Sequence, residues 1–253
     1  MSYRARSVIN ILLFISVIVL NYLANAIPIN GLTQRDLSAQ YQIFLTPAGY
    51  VFSIWGLIYL GLAAYIISQA LPQRLSDPRL RALDLPFALS CLCNMSWIIV
   101  WHYQYIVLSM CLMLGLLGSL IWSYLLLDRR GNHSDEASHW FVEQTFSVYL
   151  GWVSLATMLN VSILLYTSGW TGGPLTPQLW AVILLGIACA LFLYIGLSRQ
   201  DPEVLGVLSW ASIGIGLKHQ AELMIGITCC IVCVLSLISM GRVLISKKRL
   251  HQV

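Results

Sequence analysis

The sequence predicts an all-α, polytopic transmembrane helical bundle, and three observations predict it. The first is composition: 58% of the 253 residues are hydrophobic and 9% are charged, where soluble domains carry roughly 25% charged residues. The second is segmentation. Apolar residues gather into eight stretches, at about 8–27, 50–70, 86–103, 106–127, 141–166, 177–198, 203–218 and 221–245. Most approach the roughly 20 residues that cross a bilayer core. The third is charge placement. With the N-terminus in the cytoplasm, all 14 Lys and Arg residues except Arg35 and Lys218 fall on the cytoplasmic side, as the positive-inside rule requires. An even number of crossings follows, because Lys247, Lys248 and Arg249 must return to the side of Arg4 and Arg6. Eight crossings with both termini cytoplasmic are predicted.

The first stretch follows Arg4 and Arg6 and resembles a signal peptide at its start. It runs on to about Ile27 without a clean small-x-small cleavage site, so it reads as an uncleaved helix. A connection over 28–49 begins with Pro28 and the turn-forming pair Asn30-Gly31 and ends at the Pro47/Gly49 corner. Its middle, Leu37 to Phe44, reads as a short surface helix. The corner opens into an aromatic second helix in which Phe52, Trp55 and Tyr59 share one face. In the 71–85 loop, Asp77-Pro78 is placed to cap a short helix. Polar loop 128–140 is too short for a domain, and loop 167–176 offers Trp170 as an interface anchor. The seventh stretch is short. Fusing it with the eighth would bury Lys218, His219, Gln220 and Glu222 in one long span, so a turn at 218–222 costs less.

Several chemistries are excluded. The seven cysteines lie within the spans, and Cys229-Cys230-x-x-Cys233 has no His, Asp or Glu partner at its depth. They read as small buried hydrophobes, with neither a disulfide framework nor a metal site. No hydrolytic triad, HExxH motif, phosphate loop or dinucleotide fingerprint is present. No basic face suggests nucleic acid. Deep acidic or histidine relays of an ion pump are also missing: His102, Glu143, Lys218, His219 and Glu222 all sit near span ends. No catalytic residue is assigned, and whether the chain is an enzyme stays open. What stands out is nine tryptophans and twelve tyrosines. Interface belts account for Trp170 and Trp180. Trp55, Trp97 and Trp152 lie within spans, with Asn94 and Asn160 near them in sequence. Indole rings suit a planar apolar ligand, and amides either orient it or bond neighbouring helices.

Three motifs carry a family resemblance: Pro47-x-Gly-Tyr-Val-Phe-x-x-Trp55-x-x-x-Tyr59, Asn94-x-x-Trp97, and Tyr149-x-x-Trp152-Val-Ser-Leu-Ala-Thr157-x-x-Asn160-x-Ser162. In order and placement they resemble the tryptophan-rich sensory protein/peripheral benzodiazepine receptor family, also called the translocator protein family. The resemblance covers roughly 8–166. It implies a five-helix core over 1–166, where family members of the short type end; the apolar segments predict about three further helices over 167–253. Ile54 stands where the family has a proline before the helix-two tryptophan, and Tyr50 replaces a frequent tryptophan. Carried over by position, the cavity candidates are Tyr50, Trp55, Asn94, Trp97, Trp152, Thr157 and Asn160. The resemblance further implies a homodimer or larger membrane complex, a bacterial inner or other energy-transducing membrane, and a porphyrin or other tetrapyrrole ligand, or a sterol or other lipid. No metal ligand is assigned. The leading function is therefore a membrane sensor that binds a planar hydrophobic molecule. The alternatives are a transporter or channel for a small hydrophobic or uncharged molecule, and a structural or assembly subunit.

Overall fold

The computed structural model describes residues 2–27, 29–33, 36–37, 40–41, 43–127, 137–170 and 173–250. Among these residues every regular element is helical. The long helices are α1 (Tyr3–Ala26), α2 (Ile54–Ala70), α3 (Asp84–His102), α4 (Ile106–Leu126), α5 (Ala137–Thr167), α6 (Pro177–Ser198), α7 (Pro202–Lys218) and α8 (Leu223–Leu250). Among the described residues seven helical stretches are long and apolar enough to cross a membrane; α7 is not among them, and α2 qualifies together with the 3-10 turn Gly49–Ser53 that leads into it. The chain is an integral membrane protein with a polytopic helical architecture. At 17 residues, α7 is about 25 Å long at 1.5 Å per residue, somewhat short of a bilayer core. It is separated from α8 by the expected turn, closed where the Glu222 amide donates to the His219 carbonyl at 2.9 Å.

Local chemistry sets the boundaries. Ser2, Thr176 and Asp201 cap α1, α6 and α7 by accepting from the amides of Ala5, Leu179 and Val204. Pro177 and Pro202 begin their helices, where a missing N–H costs nothing. Asp77 caps the five-residue helix Pro78–Ala82, as its position before Pro78 implied. The Asn30-Gly31 turn also forms, with φ of 56° and 77°. Of the segment 37–44, residues 38, 39 and 42 lie outside the described residues, as do Pro28, Arg35 and the loop 128–136.

The chain divides into two compact units. The first comprises residues 1–40 and 55–153, the second 41–54 and 154–253. The boundaries fall between residues 40 and 41, at the start of α2 and within α5.

In the first unit the spans turn polar side chains inward and leave apolar ones outside. The buried stripe of α1 is Ser7, Asn10, Phe14, Val17, Asn21 and Ala24, spaced by alternating threes and fours along one helix face. Leu12, Ile15 and Val19 are exposed and suited to lipid. An aromatic core joins Tyr65 to Phe87 and Phe146, with ring centroids 5.2 and 5.5 Å apart. Helices α2 and α5 approach so closely at Gly61 that a Cβ there would collide with Thr145.

At one end of this unit, Arg81 pairs with Asp84 at 3.3 Å and donates to Ser7 Oγ and the Gln69 carbonyl at 3.0 and 2.8 Å. Asn10 Nδ2 donates to Asp84 at 2.8 Å and to Gln69 Oε1 at 3.2 Å. A topology count treats Arg81 as an interfacial charge. Here it is a buried tie between α1, the end of α2 and the start of α3.

The second unit packs Leu45 with Ala181, Leu184 and Leu185 of α6, Ile215 of α7, and Ile225 and Cys229 of α8. Gly196 lets α6 meet Leu205 of α7. A hydrogen bond of 2.6 Å between the hydroxyls of Ser209 and Ser236 joins α7 to α8. All seven cysteines are free.

Candidate functional site

In the first unit the second-helix aromatics meet the fifth helix. One turn separates Trp55 from Tyr59, and their rings stack with centroids 5.5 Å apart and planes 24° apart. Trp55 also meets Tyr149 edge-on at 5.8 Å and Trp152 at 6.5 Å, with interplanar angles of 70° and 87°. Tyr149 and Trp152 are buried, whereas Trp55 and Tyr59 remain partly accessible. Inclined aromatic faces of this kind favour edge-to-face packing, and the partly open side leaves indole and phenol surface for a further ring.

A polar chain backs these aromatics. Asn21 Nδ2 donates to Asn94 Oδ1 at 3.0 Å, and Asn94 Nδ2 lies 3.4 Å from the Tyr149 hydroxyl. Asn94 thus connects α1, α3 and α5, and both ends of its amide are engaged. An amide buried among apolar helices needs such partners. Trp97, one turn along α3, stacks on Trp101 at 6.0 Å with planes 10° apart. Its Nε1 is buried without a hydrogen-bond partner, as is the Tyr59 hydroxyl. Neither donor is satisfied by the described residues.

Of the sequence-derived candidates, Trp55, Asn94, Trp97 and Trp152 fall in this unit. Trp55 and Trp152 are in contact, and Asn94 reaches their neighbour Tyr149. Tyr50, Thr157 and Asn160 fall in the second unit. Asn160 Nδ2 donates to the Ala156 carbonyl of its own helix at 3.1 Å, and Thr157 is buried on α5.

Tyr50 belongs to the corner of the second unit, a 3-10 turn over Gly49–Ser53. Its ring packs edge-on against Trp210 of α7 at 5.3 Å. The Trp210 indole N–H donates to the Val51 carbonyl at 3.0 Å, and the Ala48 amide donates to the Gly214 carbonyl at 3.0 Å. His219 Nε2 stands 3.1 Å from the Thr46 carbonyl. A carbonyl only accepts, so this nitrogen carries the proton. Phe44 packs edge-on against the same imidazole at 5.3 Å. Burial pushes the His219 pKa down; Lys218 adds to this, and the Thr46 bond and Glu222 oppose it.

Sequence reasoning passed over Tyr59 and Tyr149 as site members, although both stand in its motifs. It also passed over Asn21, whose position on the inward stripe of α1 was the available signal. Trp210 and His219 carried no motif. No group of His, Cys, Asp and Glu able to hold a metal occurs among the described residues.

A family model described as TSPO-like protein matches residues 7–242. The match continues through α6 and α7 and into α8, well past the 8–166 over which the motifs resemble the short translocator proteins. No curated protein and no solved structure matches the chain.

Proposed function

The chain belongs to the TSPO-like protein family, and from that premise we propose that it is a membrane-embedded binding protein for a planar hydrophobic ligand of the tetrapyrrole, sterol or lipid class. The observation that carries this reading is the Trp55 cluster. Trp55 touches Tyr59, Tyr149 and Trp152 at 5.5 to 6.5 Å between ring centroids and still keeps accessible surface. Ligand sites are mostly apolar walls with a few placed polar groups. The walls here are aromatic, and the unpaired Tyr59 hydroxyl and Trp97 indole N–H are proposed as the polar groups.

A tetrapyrrole suits these residues in two respects. Its flat ring can stack on the open faces of Trp55 and Tyr59, and its peripheral carbonyl or carboxyl oxygens can accept from the two unpaired donors. In this role Trp55 and Tyr59 stack, Trp97 orients, and the Asn21–Asn94–Tyr149 chain holds α1, α3 and α5 in register behind them. Tyr50, Thr157 and Asn160 keep their places in the family motifs but belong to the second unit.

The test is titration of the purified full chain with protoporphyrin while tryptophan fluorescence is followed. Saturable quenching that is weakened in a Trp55→Phe variant supports the reading, and absence of saturable quenching rejects it. A transporter differs in a separate readout, protein-dependent flux of an uncharged hydrophobic molecule across liposomes.

A further inference from the structure

The second unit contains a cavity of about 330 Å³ whose lining takes only Ser162 from the family motifs. Ile43 and Phe44 line it from the segment before the corner, Trp170 from the loop after α5, and Trp180 and Ala181 from the first turns of α6. Ser162 and Tyr166 line it from α5. The volume is at the lower end of the roughly 300–1,000 Å³ typical of small-molecule pockets. None of the described residues lining it is charged, so they offer an entering ion no compensation for its lost hydration. Trp170 and Trp180 pack edge to face with centroids 4.9 Å apart.

One polar group in this wall is unsatisfied. The Trp180 Nε1 is buried and has no hydrogen-bond partner. The Ser162 hydroxyl, which donates to the Met158 carbonyl at 3.0 Å, does not accept from it. A buried donor left unpaired is costly, and an occupant that brings an acceptor removes that cost.

We propose that this cavity is a second binding site, for an uncharged apolar molecule that presents a carbonyl oxygen to the Trp180 indole N–H. Both a free aromatic ketone and the ester carbonyl of a lipid have this chemistry. The lining of the cavity shares no residue with the Trp55 cluster.

Benzophenone is a suitable probe, being uncharged, apolar, a ketone and photoreactive. The full chain is placed in nanodiscs, irradiated across a concentration series, and the labelled peptides are mapped. Saturable labelling within 159–181 is expected. Trp180→Phe keeps the ring but removes the donor, and should raise the half-saturating concentration roughly three- to tenfold. Ala181→Leu fills the cavity and should abolish saturable labelling, while Trp55→Phe should leave it unchanged. Diester and diether phospholipid discs distinguish the sources. A lipid ester occupant suppresses labelling only in diester discs, whereas a free ketone site labels equally in both. Non-saturable labelling spread over all apolar helices, or saturable labelling insensitive to both Trp180→Phe and Ala181→Leu, overturns the proposal.

Discussion

The indole N–H of Trp210 donates to the carbonyl oxygen of Val51 at 3.0 Å, across a sequence separation of 159 residues. With the Ala48–Gly214 and His219–Thr46 bonds, it straps the Thr46–Val51 corner onto α7. Helix α7 lies outside the five-helix pattern of the short translocator proteins. The family match nonetheless extends through it, and this strap gives the C-terminal helices a structural task within their unit.

Gly214 is the close-approach point of the strap. A Cβ added there collides with Val51, whereas one added at Gly206 on the same helix meets only Met240 Sδ at 3.7 Å. Gly214→Ala is therefore expected to destabilise the protein by about 1–3 kcal/mol through overpacking. Gly206→Ala should be neutral or stabilising by up to about 1 kcal/mol, since alanine is the better helix former. Thermal unfolding in detergent compares the two. Val51→Ala added to Gly214→Ala should recover part of the loss; no recovery would place the strain elsewhere.

His219 makes the strap sensitive to acid. Because burial favours the neutral imidazole, the folded chain binds the proton less readily than the unfolded chain, whose histidine titrates near 6.5. The contribution of His219 is complete above about pH 6.5 and is lost as pH falls from there through its lower folded value. Melting temperature measured from pH 8 to 5 should decline over that window. In His219→Gln, which keeps a donor for the Thr46 carbonyl but does not titrate, the decline should be smaller. Identical profiles would remove His219 as the cause.

The Arg81–Asp84 pair is buried together with Asn10 and Gln69. Asp84→Asn leaves the guanidinium without its carboxylate and should cost about 3–5 kcal/mol. Replacing both as Arg81→Met/Asp84→Leu removes the unpaired charge. It should cost clearly less than the single change, and denaturant titration in mixed micelles can rank them. A double variant as unstable as Asp84→Asn would contradict the charge argument.

How much of this was legible in the sequence depends on whether the signal was local. The spans were readable because bilayer thickness demands long apolar runs, and the turn after Lys218 because four polar residues would not be buried together. The Trp55–Trp152 contact followed from motifs that place both on helices two and five. The partners of Asn94 did not follow, because an amide can be satisfied from any neighbouring helix and Asn21 lies 73 residues away. The strap was invisible for the same reason: Trp210 and His219 bond to backbone carbonyls, which every residue provides. Arg81 was read as a topological charge, and only the fold reveals its buried partners.

The decisive measurement is the dissociation constant for protoporphyrin, determined in the same detergent for the unaltered chain, Trp55→Leu and Trp170→Leu. Losing one aromatic stacking surface is worth about 0.5–1.5 kcal/mol beyond area burial. Trp55→Leu is therefore expected to bind roughly three- to tenfold more weakly, and Trp170→Leu to bind as the unaltered chain does. Saturable binding indifferent to Trp55, or no saturable binding in any of the three, would contradict the assignment of the Trp55 cluster as the ligand face.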